Sequence, residues 1–424
     1  MPNNKMSILG LGYIGLPTAM LFASSGYDVA GYDKNETLVR SLNQGKLMIE
    51  EPGLEEKFKS VVESGHFKAY DTLQPSDIYI ICVPTPINPD KSADVTYVKA
   101  AAAQIAPLLK KADAVVLEST SPVGTTDGLI KNILEENTGL KAGADFYLGH
   151  SPERVLPGKI LRELVENDRI VGGIDGRSAE KIESIYKSFV KGNIHKTDSR
   201  TAELAKLSEN TFRDVNIALA NELALFCEKQ GIDVFELVGL VNNHPRVNLH
   251  TPGPGVGGHC IAVDPWFIIE KQDKSNILTA ARHVNDAMPR HTYEKILSLL
   301  PKDGGKVTIL GCTYKNDVDD LRESPILKLA DILLENNIEF SIYDPHVMNK
   351  EFKQKKYLAG TLEDALKDSS LIVLGVNHSL FKDIDFAKYR PLLKNAVMFD
   401  TRSFYDKSAL ESAGYAYVKL GCGK

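Results

Sequence analysis

Short apolar runs alternate along this chain with stretches whose apolar residues recur at the period of a helix. The first run, at 6–9, leads into a helical pattern as far as Ser25, and a second run at 28–33 ends on an acid. Short continuous apolar runs are typical of strands buried on both faces, and a helical period between them is typical of strand–helix–strand units. The pattern therefore predicts a parallel sheet covered by helices.

A glycine motif joins the first predicted strand to the first helix. The segment 10–15 has the spacing Gly-x-Gly-x-x-Gly, and Asp33 ends the next strand. Glycines let the backbone approach a pyrophosphate at the helix N-terminus, and an acid at the end of the second strand meets the adenosine ribose. This acid repels a 2′-phosphate, so the motif predicts NAD rather than NADP, and a glycine-rich turn without a ligand is the alternative. The predicted NAD-binding residues here are Gly10, Gly12, Tyr13, Ile14, Gly15 and Asp33.

Three further apolar runs follow in the first half of the chain, at 78–85, 114–117 and 146–148, and each ends in polar residues. Thr85, Thr120 and Glu153 stand at or just beyond the ends of these runs. Open α/β sheets bind ligands outside the carboxyl ends of their strands. We therefore take the three as candidate site residues, with a simple loop-capping role as the alternative for each.

A helical pattern without a break covers 199–230, and Gly231 predicts its end. About 30 residues correspond to ~45 Å of helix, which is long for a globular protein and typical of a helix that spans domains or packs on a second subunit. Lys206, Asn210 and Arg213 share one face of this helix by their spacing. A solvated polar stripe is the alternative for these three.

After Pro301 the strand–helix rhythm returns. The run that ends Ile-Tyr-Asp344 resembles the run that ends Gly-Tyr-Asp33, which predicts related folds at the two ends of the chain. The second copy has Gly311 but lacks the rest of the glycine motif, and its basic residues suit a different phosphate ligand, such as a nucleoside diphosphate. The remaining strand patterns of this part lie at 306–310, 371–374 and 397–400.

The predicted fold class is therefore α/β, with two Rossmann-like doubly wound domains joined by a long central helix and a helical middle domain. We expect the first domain at 1–197 and the middle domain, with dimer contacts, at 198–300. The second Rossmann-like domain is expected at 301–424. A chain of 424 residues is too long for one ordinary core, which agrees with this division.

Composition narrows the class of protein further. Hydrophobic residues at 43% and charged residues at 25% are typical of soluble globular chains. A net charge of -6 gives no electrostatic footprint for nucleic acid or an anionic membrane. Apolar runs fall short of the ~20 residues that span a bilayer, and the start of the chain lacks the pattern of a signal peptide. We expect a cytoplasmic protein without a nucleic-acid or membrane partner.

The five cysteines lie far apart, without a Cys-x-x-Cys pair, so neither a disulfide framework nor a zinc site is expected. One of them has an unusual context. Four glycines and two prolines fill the segment 252–260 up to Cys260, and Asp264 follows. Glycines leave a following side chain uncrowded, and a thiolate is a strong nucleophile near neutral pH. The segment indicates covalent chemistry at Cys260, with a turn around a buried cysteine as the alternative.

Together these features resemble the UDP-glucose/GDP-mannose 6-dehydrogenase family over essentially the whole chain. The shared features are spaced motifs in the same order. They are the glycine motif at 10–15, Ser-Pro-Glu-Arg at 151–154, Lys-Leu-Ser-Glu-Asn at 206–210, Gly-Gly-His-Cys at 257–260 with Asp264, and Tyr314-Lys315 with Arg-Glu-Ser-Pro at 322–325.

The resemblance implies an NAD-dependent oxidation of a nucleotide-sugar C6 alcohol to a carboxylate, without a metal. Two hydride transfers are needed, to two NAD in turn. Between them, Cys260 attacks the aldehyde to give a thiohemiacetal, and the second transfer gives a thioester that water hydrolyses. The covalent bond holds the aldehyde while the cofactor exchanges.

The resemblance also implies roles for the residues around Cys260. Lys206 and Asn210 face the oxyanion, and Lys206 acts as an acid or base and favours the thiolate. Asp264 orients Lys206 or a water, and Glu153 assists the hydrolytic water through Thr120.

Basic side chains are implied to hold the uridine, diphosphate and sugar, because guanidinium groups suit bidentate oxygen recognition. Ordinary surface charge is the alternative for each. This set is Arg154, Arg213, Arg246, Lys315 and Arg402, of which Arg246 reaches across a homodimer in relatives. The other implied substrate contacts are Val155, Lys206, Asn210, His244, Gly257 and Tyr314. The other implied NAD contacts are Thr85, Thr120 and Arg322.

Within the family, the segment 243–266 looks most like that of enzymes that oxidise UDP-N-acetylmannosamine for surface-polysaccharide precursors. UDP-N-acetylglucosamine is the alternative substrate, since its dehydrogenases have a similar loop. UDP-glucose enzymes usually carry Ser-Cys where this chain has His259-Cys260, which disfavours UDP-glucose. His259 either contacts the substrate or packs.

Two other classes of protein share part of the pattern. A two-electron hydroxy-acid dehydrogenase has the first Rossmann domain and a helical middle, but it needs neither the cysteine nor a second nucleotide-binding half. A non-catalytic scaffold of the same fold is expected to have lost Cys260 or Lys206. This chain retains all of these features.

Overall fold

The computed structural model describes residues 5–49, 51–272, 274 and 276–423. It divides into two compact units. The first consists of Met1–Glu209 with Trp266–Lys271, and the second of Asn210–Pro265 with Gln272–Lys424. We describe each unit by itself.

The first unit contains an eight-stranded sheet with the order β3-β2-β1-β4-β5-β6-β7-β8. Its strands pair in parallel, apart from the antiparallel pair β6–β7. The strands are β1 (Lys5–Leu9), β2 (Asp28–Tyr32), β3 (Phe67–Tyr70), β4 (Ile78–Ile81), β5 (Ala114–Leu117), β6 (Tyr147–His150), β7 (Arg169–Gly173) and β8 (Ile194–Asp198). The helices are α1 (Gly15–Ser24), α2 (Glu36–Asn43), α3 (Leu54–Glu63), α4 (Thr96–Ile105), α5 (Lys131–Thr138), α6 (Ile160–Glu166) and α7 (Gly176–Tyr186).

Strand β4 shows why this sheet is built from continuous apolar runs. Ile80 packs in a core cluster on one face of the sheet, together with Phe22 of α1. Its neighbours Tyr79 and Ile81 belong to a second cluster. Successive strand side chains point to opposite faces, so apolar residues at every position are needed when both faces are covered.

The second unit contains a five-stranded parallel sheet with the order β10-β9-β11-β12-β13. Its strands are β9 (Lys306–Leu310), β10 (Phe340–Tyr343), β11 (Ser369–Leu374), β12 (Val397–Asp400) and β13 (Ala416–Lys419). The helix α8 (Ser199–Gln230) begins in the first unit and ends in the second. The later helices are α9 (Val234–Val241), α10 (Asp264–Ile269), α11 (Asn276–Leu299), α12 (Pro325–Glu335), α13 (Leu362–Leu366), α14 (Phe386–Tyr389) and α15 (Lys407–Ser412).

The two sheets share the same turn after their first strands in sequence, β1 and β9. Gly10 follows β1 with φ 95° and donates its N–H to the Tyr32 carbonyl at 2.8 Å. Gly311 follows β9 with φ 81° and donates to the Tyr343 carbonyl at 2.9 Å. Such positive φ values favour glycine.

An aspartate after the neighbouring strand, β2 or β10, stabilises this turn. One oxygen of Asp33 accepts the N–H of Leu11 at 2.9 Å, and one oxygen of Asp344 accepts the N–H of Cys312 at 2.7 Å. The two ends of the chain are thus related folds, as the shared Tyr-Asp sequences predict.

The predicted fold class is confirmed, with two Rossmann-like sheets and a helical middle. Helix α8 has the predicted bounds. The apolar run 78–85 predicts a longer strand than the structure has, because β4 ends at Ile81, before Pro84 and Pro86, and proline cannot donate a ladder hydrogen bond. Sequence analysis missed β3, β7, β8 and β13, and β8 is an edge strand with exposed residues.

Two further observations concern the described residues. None of their helices is both long and apolar enough to cross a membrane. The five cysteines all lie within the described ranges, and they form no disulfide with one another.

The glycine motif generates a stability prediction. A Cβ at Gly15 would lie 1.8 Å from the Gly10 carbonyl oxygen, whereas a Cβ at Gly12 would meet nothing within 4 Å. Gly15→Ala is expected to lower the free energy of unfolding by about 3 kcal/mol, because the turn must shift to relieve the clash. Gly12→Ala is the matched control, with an expected change within about 0.5 kcal/mol. Urea denaturation of both variants measures the difference. Equal stability of the two variants would contradict the steric argument.

Candidate active site

The turn between β1 and α1 has the features of a dinucleotide site. The open space at Gly12 leaves room for a pyrophosphate at the N-terminal end of α1, where backbone N–H groups favour an anion. The oxygens of Asp33 accept the N–H groups of Leu11 and Asn35, each at 2.9 Å. Each carboxylate oxygen can accept a second hydrogen bond, so Asp33 remains suited to a ribose hydroxyl. The residues fit NAD.

Thr85 and Thr120 stand at the ends of neighbouring strands, and the structure links them. The Thr85 hydroxyl donates to the Thr120 carbonyl at 2.6 Å, and Thr85 is buried. The loops after β4 and β5 are therefore tied together at the edge of the sheet where the glycine motif lies. Tyr13 in that motif is 40% exposed, which leaves its ring accessible to a ligand.

Lys206 and Glu153 form a buried ion pair in the first unit. The Lys206 ammonium donates to the Glu153 carbonyl at 2.7 Å and to its Oε1 at 3.2 Å. Their side chains are 7% and 13% exposed. Glu153 Oε2 accepts the N–H of Val155 at 2.9 Å. The segment after β6 thus holds the lysine of α8 in one place.

Arg154, in the same segment, has two protein partners. Its Nη1 lies 3.0 Å from Glu209 Oε1 of α8, and its Nη2 donates to the Asp168 carbonyl. The side chain is 25% exposed. This arginine is thus oriented by α8 and by the residue before β7.

A buried pair that the sequence analysis missed supports this segment. Arg169 Nη2 lies 3.0 Å from Glu118 Oε1, and the two side chains are 5% and 0% exposed. Arg169 Nε donates to the Ser151 hydroxyl at 2.8 Å, and the Tyr186 hydroxyl donates to Glu118 at 2.6 Å. The sequence gives no local signal for this pair, because Glu118 directly follows β5 and Arg169 begins β7, a strand that the sequence analysis missed.

Glu203, one turn before Lys206 on α8, was also missed. Its carboxylate accepts the N–H of Gly124 at 2.7 Å, and the N–H and hydroxyl of Thr126 at 2.8 and 2.6 Å. Burial raises the pKa of Glu203 to about 7, against these hydrogen bonds. The residue ties α8 to the loop that carries Thr120.

The cysteine loop of the second unit depends on its glycines. A Cβ at Gly257 would lie 2.7 Å from the Glu323 carbonyl oxygen. A Cβ at Gly258, whose φ is 84°, would lie 2.8 Å from the Tyr314 ring. A Cβ at Gly253 would lie 2.6 Å from Arg402 Nη1. The loop therefore lies directly against the strand ends of the second sheet. Three of the candidate substrate residues, Gly257, Tyr314 and Arg402, lie along this contact.

Cys260 is exposed at the end of this loop. Its carbonyl accepts the N–H groups of Val263 and Asp264 at 3.1 and 2.9 Å, where α10 begins. The carboxylate of Asp264 accepts the Asn210 side-chain N–H at 2.5 Å, and both residues are buried. Asn210 is thereby fixed with a second amide hydrogen available for another acceptor.

Arg322 lies within electrostatic range of the thiol. Its guanidinium donates to Asp320 at 2.5–3.0 Å. The Asp320 hydrogen bonds raise the pKa of Arg322, with contributions from Tyr314 and Cys260. Burial opposes the shift at Asp320, but the hydrogen bonds from Arg322 keep the pKa of that carboxyl below its ordinary value, and His259 contributes. Arg322 is thus a cationic neighbour of Cys260.

Two further basic candidates line the second sheet. Lys315 is half-buried directly after Tyr314. Arg402 Nε donates to the Gly375 carbonyl at 3.2 Å. Burial lowers the pKa of Arg402 to about 10, and Asp400 opposes the shift.

Three substrate candidates lie elsewhere on the second unit. Arg213, His244 and Arg246 are exposed. The Arg246 N–H donates to His244 Nδ1 at 3.3 Å, so these two are neighbours.

A buried histidine lies beside the turn after β9 in the second sheet, because a Cβ at Gly311 would lie 3.1 Å from the His378 ring. His378 is fully buried, with Nε2 3.2 Å from Asp344 Oδ2 and Nδ1 accepting the Asp317 N–H at 2.9 Å. Potential ligand atoms of Asp317, His346 and His378 lie within 4.8 Å of one another. Both nitrogens of His378 are already engaged by protein partners, which disfavours a cation at this group.

Comparison with known proteins agrees with both nucleotide folds. Three sequence models of the UDP-glucose/GDP-mannose dehydrogenase family match: the NAD binding domain at residues 4–190, the central domain at 200–287 and the UDP binding domain at 308–407.

Relatives of this kind match over nearly the full length. A UDP-N-acetyl-D-mannosamine dehydrogenase of Methanococcus maripaludis is 45% identical over 99% of this chain and 97% of its own. The structure of the UDP-N-acetyl-mannosamine dehydrogenase Cap5O from Staphylococcus aureus has a TM-score of 0.90 and 43% identity, with 99% of each chain covered. That of the UDP-D-ManNAc dehydrogenase from Pyrococcus horikoshii has a TM-score of 0.91 and 38% identity, with the same coverage. The chain belongs to the UDP-glucose/GDP-mannose dehydrogenase family and is an NAD-dependent nucleotide-sugar dehydrogenase.

Proposed function

We propose that this chain oxidises the C6 alcohol of UDP-N-acetylmannosamine to the carboxylate, with two NAD consumed for each sugar. The observation that carries the proposal is the exposed Cys260 at the end of a glycine loop that lies against Tyr314 and Arg402 of the second nucleotide fold. A nucleophile held beside a nucleotide fold suits covalent capture of a sugar aldehyde. The names of the full-length relatives support the same sugar.

The proposed chemistry balances around the cysteine. The alcohol, two NAD and one water give the carboxylate, two NADH and three protons. When bound, NAD supplies the hydride acceptor for each step. The Cys260 thiolate adds to the aldehyde carbon, and the thiohemiacetal loses its hydride to become a thioester. Water then displaces the thiolate, which regenerates the enzyme.

The buried pairs suggest how neighbouring residues act in these steps. Asp264 fixes Asn210, whose second amide hydrogen then donates to the oxyanion. Glu153 holds Lys206 as an ammonium, which stabilises the same oxyanion and the thiolate. When the sugar arrives, Lys206 exchanges part of its contact with Glu153 for the substrate, and Glu153 then assists the hydrolytic water with Thr120.

The remaining candidates divide between the two ligands. The proposed NAD-binding residues are those of the glycine motif, Asp33 and Thr85. Arg322 is proposed to make a further contact with NAD. The proposed substrate residues are Arg154, Val155, Arg213, His244, Arg246, Gly257, Tyr314, Lys315 and Arg402. We also propose three domains, at 1–197, 198–300 and 301–424. The proposed site of action is the cytoplasm, where UDP-sugars and reduced thiols occur together.

The oxidation is tested with a panel of UDP-N-acetylmannosamine, UDP-N-acetylglucosamine and UDP-glucose, with NADH counted for each sugar consumed. We expect two NADH per sugar, and kcat/KM for the mannosamine substrate about tenfold or more above the others, because buried polar groups discriminate strongly between hydroxyl arrangements.

One NADH per sugar would contradict the four-electron reaction. A preference for UDP-N-acetylglucosamine would overturn the assigned sugar in favour of the alternative. Turnover of none of the three would overturn the proposed substrate class.

We further propose a homodimer through α8. Four apolar side chains of this helix are 43–69% exposed: Leu204, Phe212, Leu219 and Phe226. At about 100° per residue they fall within roughly 80° of one another, so they form one stripe. A stripe of this kind on a long helix suits a second copy of the same chain, which presents the same surface. The exposed Arg246 is proposed to reach the partner's substrate.

Leu219→Glu is expected to yield a monomer, because a carboxylate in the middle of the stripe must be desolvated on association. Light scattering after size exclusion measures the mass of the assembly. Leu380→Glu is the matched control, since Leu380 is 64% exposed outside the stripe and should leave the dimer intact. A parent protein that is itself monomeric would contradict the proposal, as would an unchanged mass for Leu219→Glu.

A further inference from the structure

A chain of buried side chains crosses the second unit from α11 to the cysteine loop. The Arg282 guanidinium donates to Asp214 and to Asp286, each at 2.6 Å. The Asn285 amide N–H donates to Asp214 Oδ1 at 2.8 Å, and the Asn221 amide N–H donates to Asn285 Oδ1 at 2.9 Å. The last link belongs to the loop.

That last link is the Gly253 N–H, which donates to Asn221 Oδ1 at 2.9 Å. Asn221 and Asp214 are 0% exposed and Asn285 is 1% exposed. Water therefore cannot replace these hydrogen bonds when one partner is removed, and each lost partner leaves a buried polar group unpaired.

The charge at Asp214 sets the direction of every bond in the chain. A carboxylate only accepts, so Asn285 must turn its N–H toward Asp214 and its oxygen toward Asn221. Asn221 must then turn its own N–H toward Asn285, which leaves its oxygen facing the loop. Burial raises the pKa of Asp214, but Arg282 and Asn285 oppose this shift.

The loop is closely packed around the Gly253 N–H. The missing Cβ of Gly253 makes room for the Arg402 guanidinium, and a Cβ at Gly255 would lie 3.3 Å from the Asn285 carbonyl oxygen. Asn221 thus holds one end of the loop through Gly253, and α11 packs against the loop at Gly255. The other end carries Cys260.

We propose that Asn221 is a positioning residue for Cys260, locked in one amide orientation by Asn285 and Asp214. It does not touch the reacting atoms. It holds the start of the loop beside Arg402. The glycine backbone then follows one path, which fixes the position of the Cys260 thiol. This inference rests on the proposed function only in naming the step that the loop serves.

The test is Asn221→Ala, which removes the acceptor of the Gly253 N–H. We expect kcat to fall by about tenfold to a hundredfold with a much smaller change in KM, since small displacements of a reacting group cost this much. Hydrogen exchange is expected to become faster in peptides from Gly253 to Cys260, and the rate of Cys260 alkylation by iodoacetamide is expected to change by about threefold or more.

The matched control is Asn43→Ala in the first unit. Asn43 clamps Ala69 with two hydrogen bonds, at 2.9 and 3.1 Å, so its loss removes a similar number of amide contacts far along the chain from the loop. We expect it to lower the melting temperature and to leave kcat, loop exchange and alkylation unchanged.

A conservative variant separates positioning from packing, and it serves also if Asn221→Ala fails to fold. In Asn221→Asp, a protonated carboxyl can donate to Asn285 and accept from Gly253 as the amide does. Burial raises the pKa of such a carboxyl, and the charge of Asp214, beyond Asn285, acts in the same direction, while Arg282 and the Arg402 guanidinium beside Gly253 oppose this. Activity relative to the parent at the same pH is therefore expected to be retained at low pH and lost as pH rises.

The proposal is overturned if folded Asn221→Ala keeps kcat within about twofold of the parent, or if exchange in the loop is unchanged. A pH-independent ratio for Asn221→Asp also overturns it. Exchange and alkylation do not depend on any substrate, so they decide the matter even if the parent oxidises none of the UDP-sugars tested, which would instead count against the proposed function.

Discussion

The close approach of backbone to side chain along the loop 253–258 is the constraint on which the site of the second unit depends. At three glycines of this loop a methyl group would fall between 2.6 and 2.8 Å from Arg402, the Glu323 carbonyl or the Tyr314 ring. Contacts of that length are steric overlaps, so a loop with side chains would have to stand off from the second sheet. Only the glycine sequence lets Cys260 be delivered against the proposed nucleotide-binding residues.

The same principle shapes the first unit, with a different outcome. Gly10 and Gly311 make the same turn after their strands, and Asp33 and Asp344 accept equivalent backbone N–H groups. In the first copy a Cβ at Gly12, within this turn, would meet nothing within 4 Å. In the second, a Cβ at Gly311 would lie 3.1 Å from the ring of His378, which contacts Asp344. The turn of the first copy fits a dinucleotide, whereas the second sheet lies against the glycine loop that carries Cys260.

Sequence reasoning found the parts of the molecule that have a periodic or steric signature. The bounds of α8, the β1 turn and the cysteine loop each follow from spacing and glycine content. It did not find Glu203, Arg169 or Asn221, because a buried polar residue on a helix or strand has no local pattern that names its partner. Glu203 and Gly124 are far apart in sequence, and their contact becomes visible only when α8 is laid beside the loop after β5. Which residues surround the sugar stays a prediction for the same reason.

In the proposed mechanism, Cys260 carries the sugar between two oxidations. The most direct measurement is the product and NADH yield of Cys260→Ser with the preferred UDP-sugar, alongside Cys422→Ser as a matched loss of another thiol. We expect no uronate from Cys260→Ser, unchanged NAD affinity, and a parental yield from Cys422→Ser. Two NADH per sugar from Cys260→Ser would contradict it.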